Sequence, residues 1–145
     1  MANPLPLTGL LILLMAWASA SDLRTRRIPN ACTVGGTMAA GAWAGVFDAA
    51  PASRVLAIVF VAGPLAAAWA FRPASLGVGD VKLAVLLASF LGWLAAPATV
   101  LGLVLAAGWA AAEAIFGRPE SLRNHLVPLA PFMAAGSALA LALVG

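Results

Sequence analysis

Apolar residues fall into six blocks, separated by short polar or turn-forming breaks. The blocks span about 5–21, 31–47, 54–71, 81–95, 98–116 and 127–144. Each is read as a helix of roughly 15–20 residues. Such helices fit a bilayer core of about 30 Å, the shorter ones at a small mismatch cost. The first block ends in Ala18-Ser19-Ala20, which imitates a signal-peptide cleavage site. No Lys or Arg precedes it, so the block is expected to stay in place as a helix. Pro29 and Asn30 suit the start of the second helix, with Asn30 as its N-cap. Gly41 and Gly45 place two small residues four apart, a spacing suited to close helix packing. Gly63-Pro64 is expected to kink the third helix. Pro97 is expected to close the fourth.

The breaks carry nearly all the charge. Asp22 to Asn30 is the most charged stretch, and Gly117 to Leu126 holds Arg118, Glu120, Arg123 and His125. Between the third and fourth blocks the chain reads Arg72-Pro73-Ala74-Ser75-Leu76-Gly77-Val78-Gly79-Asp80-Val81-Lys82. Gly-Val-Gly is expected to break the helix and leave backbone free at the membrane edge. Non-helical backbone there lines a cavity and can pair with an extended peptide.

Composition sharpens this to a membrane protein. The 145 residues are 63% hydrophobic and 9% charged, against about 25% charged in soluble domains. A small globule cannot hide so much apolar surface, so the fold class is all-α: one membrane-embedded domain over residues 1–145. The net charge of +3 sits in short loops and signals topology rather than nucleic acid. Arg24, Arg26, Arg27, Arg72, Lys82, Arg118 and Arg123 lie on one side, and Arg54 alone on the other. That bias places the seven in the cytoplasm and both termini outside. Trp17, Trp43, Trp69 and Trp93 fall near block ends, where amphipathic rings prefer to sit. A single cysteine, Cys32, and a single histidine, His125, exclude an internal disulfide and any zinc site of several Cys or His ligands. No metal or other cofactor is expected.

Of the five acidic residues, Asp22 ends the first block and Asp80 begins the fourth, both on the cytoplasmic side. If these helices are neighbours, the two carboxylates face each other across a cleft. Two carboxylates that close cannot both ionise cheaply, so one keeps its proton and the pair holds an acid beside a base. That is what peptide hydrolysis by an activated water requires. Helix polarity favours the anion at Asp80, the expected base, and the proton at Asp22. Lys82, one turn into the fourth helix, either tunes the pair or snorkels to the interface. Glu113 either pairs with a basic residue or accepts charge from a substrate. Asp48 lies on the other side, away from this chemistry.

These residues resemble a known family. Gly77-Val78-Gly79-Asp80 matches the GxGD signature of membrane aspartyl proteases. Asp22 through Ile28-Pro29-Asn30 resembles the first-aspartate motif of the type IV prepilin peptidases. Pro128-Leu129-Ala130-Pro131-Phe132 is similar to a segment near that family's C-terminus. The resemblance implies a GxGD aspartyl protease-like bundle in the bacterial inner membrane, with Asp22 and Asp80 as the catalytic pair. Gly77, Gly79, Lys82, Pro29, Asn30 and Glu113 would support it or bind substrate. The implied partner is a prepilin or pseudopilin whose short basic leader is removed at the cytoplasmic face. Longer members carry an extra cytoplasmic segment with paired CxxC motifs, associated with methylating the new N-terminus. Here about nine residues link the first two blocks and Cys32 stands alone. The resemblance is therefore to the short forms serving tight-adherence (Flp-type) pili, with no methyltransferase activity.

Two other readings compete. Cys32 and His125 on one side suggest a cysteine protease, although no third orienting group is evident. Paired intramembrane carboxylates also suit a small proton-coupled transporter or a non-catalytic assembly component. Transporter sites, however, lie near the midplane.

Overall fold

The computed structural model describes residues 5–48, 50–72, 77–116 and 127–144, with side chains from residue 7. The loop holding Arg118, Glu120, Arg123 and His125 lies outside the described residues. Six α-helices follow in order: α1 (Leu5–Thr25), α2 (Asn30–Phe47), α3 (Pro51–Phe71), α4 (Val78–Leu91), α5 (Ala95–Phe116) and α6 (Leu129–Val144). A 3₁₀ turn, Gly92–Leu94, joins α4 to α5. Among the described residues there is no strand.

The helix ends differ from the expected ones in instructive ways. α1 runs on through Asp22 to Thr25, so the α1–α2 link is only residues 26–29. Leu23 and Arg24 are good helix formers, and apolarity alone marks the membrane boundary rather than the helix end. The break between α4 and α5 is made by Gly92, at φ 57°, and not by Pro97. Pro97 lies in the first turn of α5, where its missing N–H has no intrahelical partner to lose. α3 continues through Pro64. Asn30 is the first residue of α2 rather than its cap, and Pro29 occupies the cap position in extended backbone.

α4 is the hub. Leu83, Ala84, Leu86, Leu87, Ala88, Ser89 and Phe90 are all buried, packed among α3, α2, α5, α1 and α6. The surrounding helices turn large apolar side chains outward, among them Phe71 at 85% exposure and Phe116 at 87%. Such surface belongs against lipid. Leu7–Thr25, Pro51–Phe71 and the 39-residue stretch Val78–Phe116 are long and apolar enough to cross a membrane. The expected six spans thus reduce to three stretches that meet that measure. α2 is diluted by Asn30, Thr33, Thr37 and four glycines, and the apolar α6 has only 16 residues.

The sharpest helix contact joins α5 to α6. A methyl group on Gly136 would collide with Ala98 O and stand 2.5 Å from Gly102 N. Gly41 and Gly45, expected at a packing face, have nothing within 4 Å of such a methyl. They look outward from the bundle.

Arg54 closes the C-terminal end of α4. Its Nη1 donates to the carbonyls of Ser89 (2.6 Å) and Phe90 (3.2 Å), and its Nε to Asp48 Oδ2 (2.8 Å). The last carbonyls of a helix have no intrahelical partner, and a cation there also meets the negative dipole end. The Ala50 N–H and the Arg54 guanidinium hold the Asp48 carboxyl below the usual carboxylate range. Its contribution to stability is therefore present above the ordinary carboxylate pKa and is lost as the pH falls through the lowered one. Arg54→Met is expected to cost about 1–3 kcal/mol, read as a lower unfolding midpoint in detergent. An unchanged midpoint would remove this staple from the account.

Candidate active site

Asp22 rides on the last turn of α1 and is 8% exposed. Its Oδ2 accepts the backbone N–H of Ala130 at 3.1 Å. Ala130 is the second residue of α6, so this N–H is one of the donors a helix start leaves unpaired. Pro128 and Pro131 bracket it. The positive end of the α6 dipole thus points at the Asp22 carboxylate.

Asp80 occupies the third position of α4, with Gly77 as its N-cap. Gly77 N–H donates to Asp80 Oδ2 at 3.2 Å, and Asp80 N–H donates to Gly77 O at 3.0 Å. The glycines therefore act otherwise than expected. Val78 and Gly79 are already helical, and Gly77 has ordinary extended angles, φ −75° and ψ 144°. No left-handed backbone is needed here. Gly79 lies beside Ile28 of the α1–α2 link, where a methyl would make an ordinary contact at 3.4 Å from Ile28 Cδ1, so this approach does not require glycine either.

Asp22 and Asp80 line one cavity of 640 Å³, together with Arg26, Arg27, Asn30 and Lys82. Val127, Pro128 and Leu129 wall the cavity on the α6 side and Leu103 on the α5 side. Lys82 Nζ donates to Asn30 Oδ1 at 2.9 Å, which ties α4 to the start of α2 across the site. Pro29 is not part of the cavity lining. Its carbonyl accepts the N–H groups of Cys32 (3.0 Å) and Thr33 (3.2 Å), so it starts α2.

Glu113 stands apart from the pair. It lines a smaller cavity of 260 Å³ with Asp22, Leu23, Arg26, Trp109, Val127 and Pro128. Arg26 lines both cavities. It is the one non-glycine residue with positive φ (52°) among the described residues, held at the end of α1 by its N–H to Asp22 O (2.9 Å). Sequence reasoning missed Trp109 and the Ala130 N–H. The paired prolines of Pro128 to Pro131 were the available signal for the last. Own-helix polarity also proves an incomplete guide to the proton. Asp80 sits at the start of its own helix, but Asp22 sits at the start of α6, so both carboxylates meet a helix N-terminus.

Cys32 is buried in α2, with its thiol 3.2 Å from the carbonyl of Leu14. It lines neither cavity, and a buried thiol so placed behaves as a small apolar residue. Cys32→Ala is expected to leave peptide cleavage unchanged; loss of cleavage without loss of folding would restore the cysteine reading. No group of three or more His, Cys, Asp or Glu that could hold a metal occurs among the described residues.

No curated protein and no solved structure matches the chain. A model of the type IV leader peptidase family matches residues 9–112. The matched range holds both cavity aspartates and stops short of α6. Since that match takes in more than half of the chain, the protein belongs to the type IV leader peptidase family, whose general activity is the removal of prepilin-type leaders.

Proposed function

We propose that this is a membrane aspartic endopeptidase that cuts the basic leader from Flp-type prepilins at the cytoplasmic face, using Asp22 and Asp80. The observation that carries the reading is that these two acids, remote in sequence, line a single cavity. In this scheme one carboxyl of the pair is ionised and the other carries a proton. The ionised member takes a proton from water as the water oxygen attacks the scissile carbonyl carbon. The protonated member gives its proton to the carbonyl oxygen, leaving a neutral tetrahedral diol. The first carboxyl then passes its proton to the amide nitrogen while the second takes the proton of one diol hydroxyl, so the C–N bond breaks to release a carboxylic acid and an amine and the pair is restored. Leader removal in this scheme needs no covalent enzyme intermediate.

In the membrane, all six helices of one embedded domain would cross, with both termini outside and the cavity facing the cytoplasm. The seven-to-one bias of basic residues supports that orientation. α6 spans about 24 Å by its rise, a shortfall that a thinner local bilayer absorbs. The four-residue α1–α2 link, residues 26–29, has no cysteine and no room for a CxxC segment, which supports cleavage without methylation.

The direct test uses purified protein in detergent with a synthetic Flp-type prepilin peptide. The expected result is a single cut releasing the leader, with no methyl group added to the new N-terminus. An intact peptide, with proton flux in reconstituted vesicles, would favour the transporter reading instead.

A further inference from the structure

The turn that ends α1 takes a left-handed residue, and the residue that fills it is an arginine. Arg26 follows the last residue of α1, and its N–H still closes a helical ring on Asp22 O at 2.9 Å. Its φ of 52° is disfavoured for any residue with a Cβ, and glycine is the usual occupant just past a helix end. The contacts that close the turn come from backbone and hydroxyls. Ser21 Oγ donates to Arg27 O at 2.8 Å, and Thr25 Oγ1 to Ser21 O at 3.0 Å. Nothing in that closure calls for a guanidinium. A strained residue kept at the rim of a site points to a task there.

The left-handed φ also re-aims the side chain, because it rotates Cβ about the N–Cα bond away from a helical course. So placed, Arg26 lines both cavities, and among the described residues Asp22 is the one acid common to the two. Other charged groups face Asp22 from each neighbouring element. Arg27 of the α1–α2 link lines the larger cavity alone. α4 brings Asp80 and also Lys82, whose Nζ donates to Asn30. α5 brings Glu113 to the smaller cavity. α6 offers the Ala130 N–H and has no charged residue. Arg24, in the last turn of α1, lines neither cavity. Asp80 and Glu113 oppose a negative charge on Asp22, and Arg26 is the cation met on both sides of it.

We infer that Arg26 is a positioning residue that acts through Asp22. Its guanidinium stabilises the ionised carboxylate, as an opposite charge nearby does, and so favours Asp22 as the member that takes the proton from water. Glycine would relieve the backbone and forfeit that charge, so stability and chemistry pull in opposite directions at position 26. The inference rests on the peptidase reading only for the role in the reaction; the action of the guanidinium on the carboxyl stands without it.

The test has two readouts on the full chain in detergent, and the first needs no cleavage. Infrared difference spectra between the Asp80→Asn protein and the Asp22→Asn, Asp80→Asn double variant isolate the carboxyl at position 22. Adding Arg26→Gly to Asp80→Asn is expected to move its titration midpoint up by about one pH unit. Arg26→Lys should restore most of that shift, and the position-80 carboxyl of Asp22→Asn should move less. Glycine takes left-handed backbone without strain, so the unfolding midpoint should be no lower than the parent's. Should it fall, Arg26→Asn, which also tolerates this backbone and carries no charge, takes the glycine variant's place. The second readout is the pH profile of kcat/KM on a synthetic prepilin peptide. Arg26→Gly is expected to displace the whole bell upward, a loss of about tenfold on its acid limb. A lower bell at unchanged pH is what a merely structural role gives, and it would overturn the inference, as would an unmoved midpoint at position 22. A moved midpoint in a protein that never cuts would keep the action of Arg26 on Asp22 and remove the peptidase mechanism.

Discussion

Asp22→Asn and Asp80→Asn are each expected to lower the rate of leader cleavage by about 10³–10⁴-fold, the usual range for a positioned acid or base. The double variant should fall little further, because the two act as a unit and either loss removes the shared proton. The fold should survive. An asparagine at position 22 can still accept the Ala130 N–H, and one at position 80 can still accept the Gly77 N–H, so both helix-start contacts persist. What an amide cannot do is take a proton from water or hold one for the carbonyl oxygen. Single-turnover cleavage with purified variants, beside their unfolding midpoints, separates these cases. Near-normal cleavage by either single variant would end the two-aspartate mechanism.

How much of this was legible in the chain depends on which signal a residue leaves. Asp22 and Asp80 stood out because acids are scarce in so apolar a sequence, and the GxGD and Asp-to-Ile-Pro-Asn patterns gave them context. The six helices were visible as apolar blocks. Their ends were not, because the Asp22–Thr25 turn is helical without being apolar. The central place of α4 was hidden for a related reason. In a membrane sequence a buried helix and a lipid-facing one are equally apolar, so periodicity does not report which faces inward. The task of Arg54 was masked by its other meaning as a topology marker. Contacts made by backbone, such as Ala130 N–H to Asp22, leave only indirect traces such as flanking prolines.

Glycines show the same ambiguity, and they give the second large effect. Gly136→Ala is expected to destabilise the protein by about 1–3 kcal/mol, the usual penalty of overpacking. The added methyl would meet Ala98 O, Gly102 N and Gly102 Cα, all backbone atoms. Backbone cannot rotate aside as a side chain can, so α6 must move away from α5. That motion also draws Ala130 away from Asp22, so cleavage should fall together with stability. Gly41→Ala is the matched control. With open space around it, it should be neutral or stabilising by about 0.5–1 kcal/mol, since alanine favours a helix interior. A spacing of small residues thus marks two kinds of surface, and only the geometry says which one another helix occupies. Equal unfolding midpoints for Gly136→Ala and the parent protein would mean that α5 and α6 do not approach so closely. The Ala130 contact to Asp22 would then need another support.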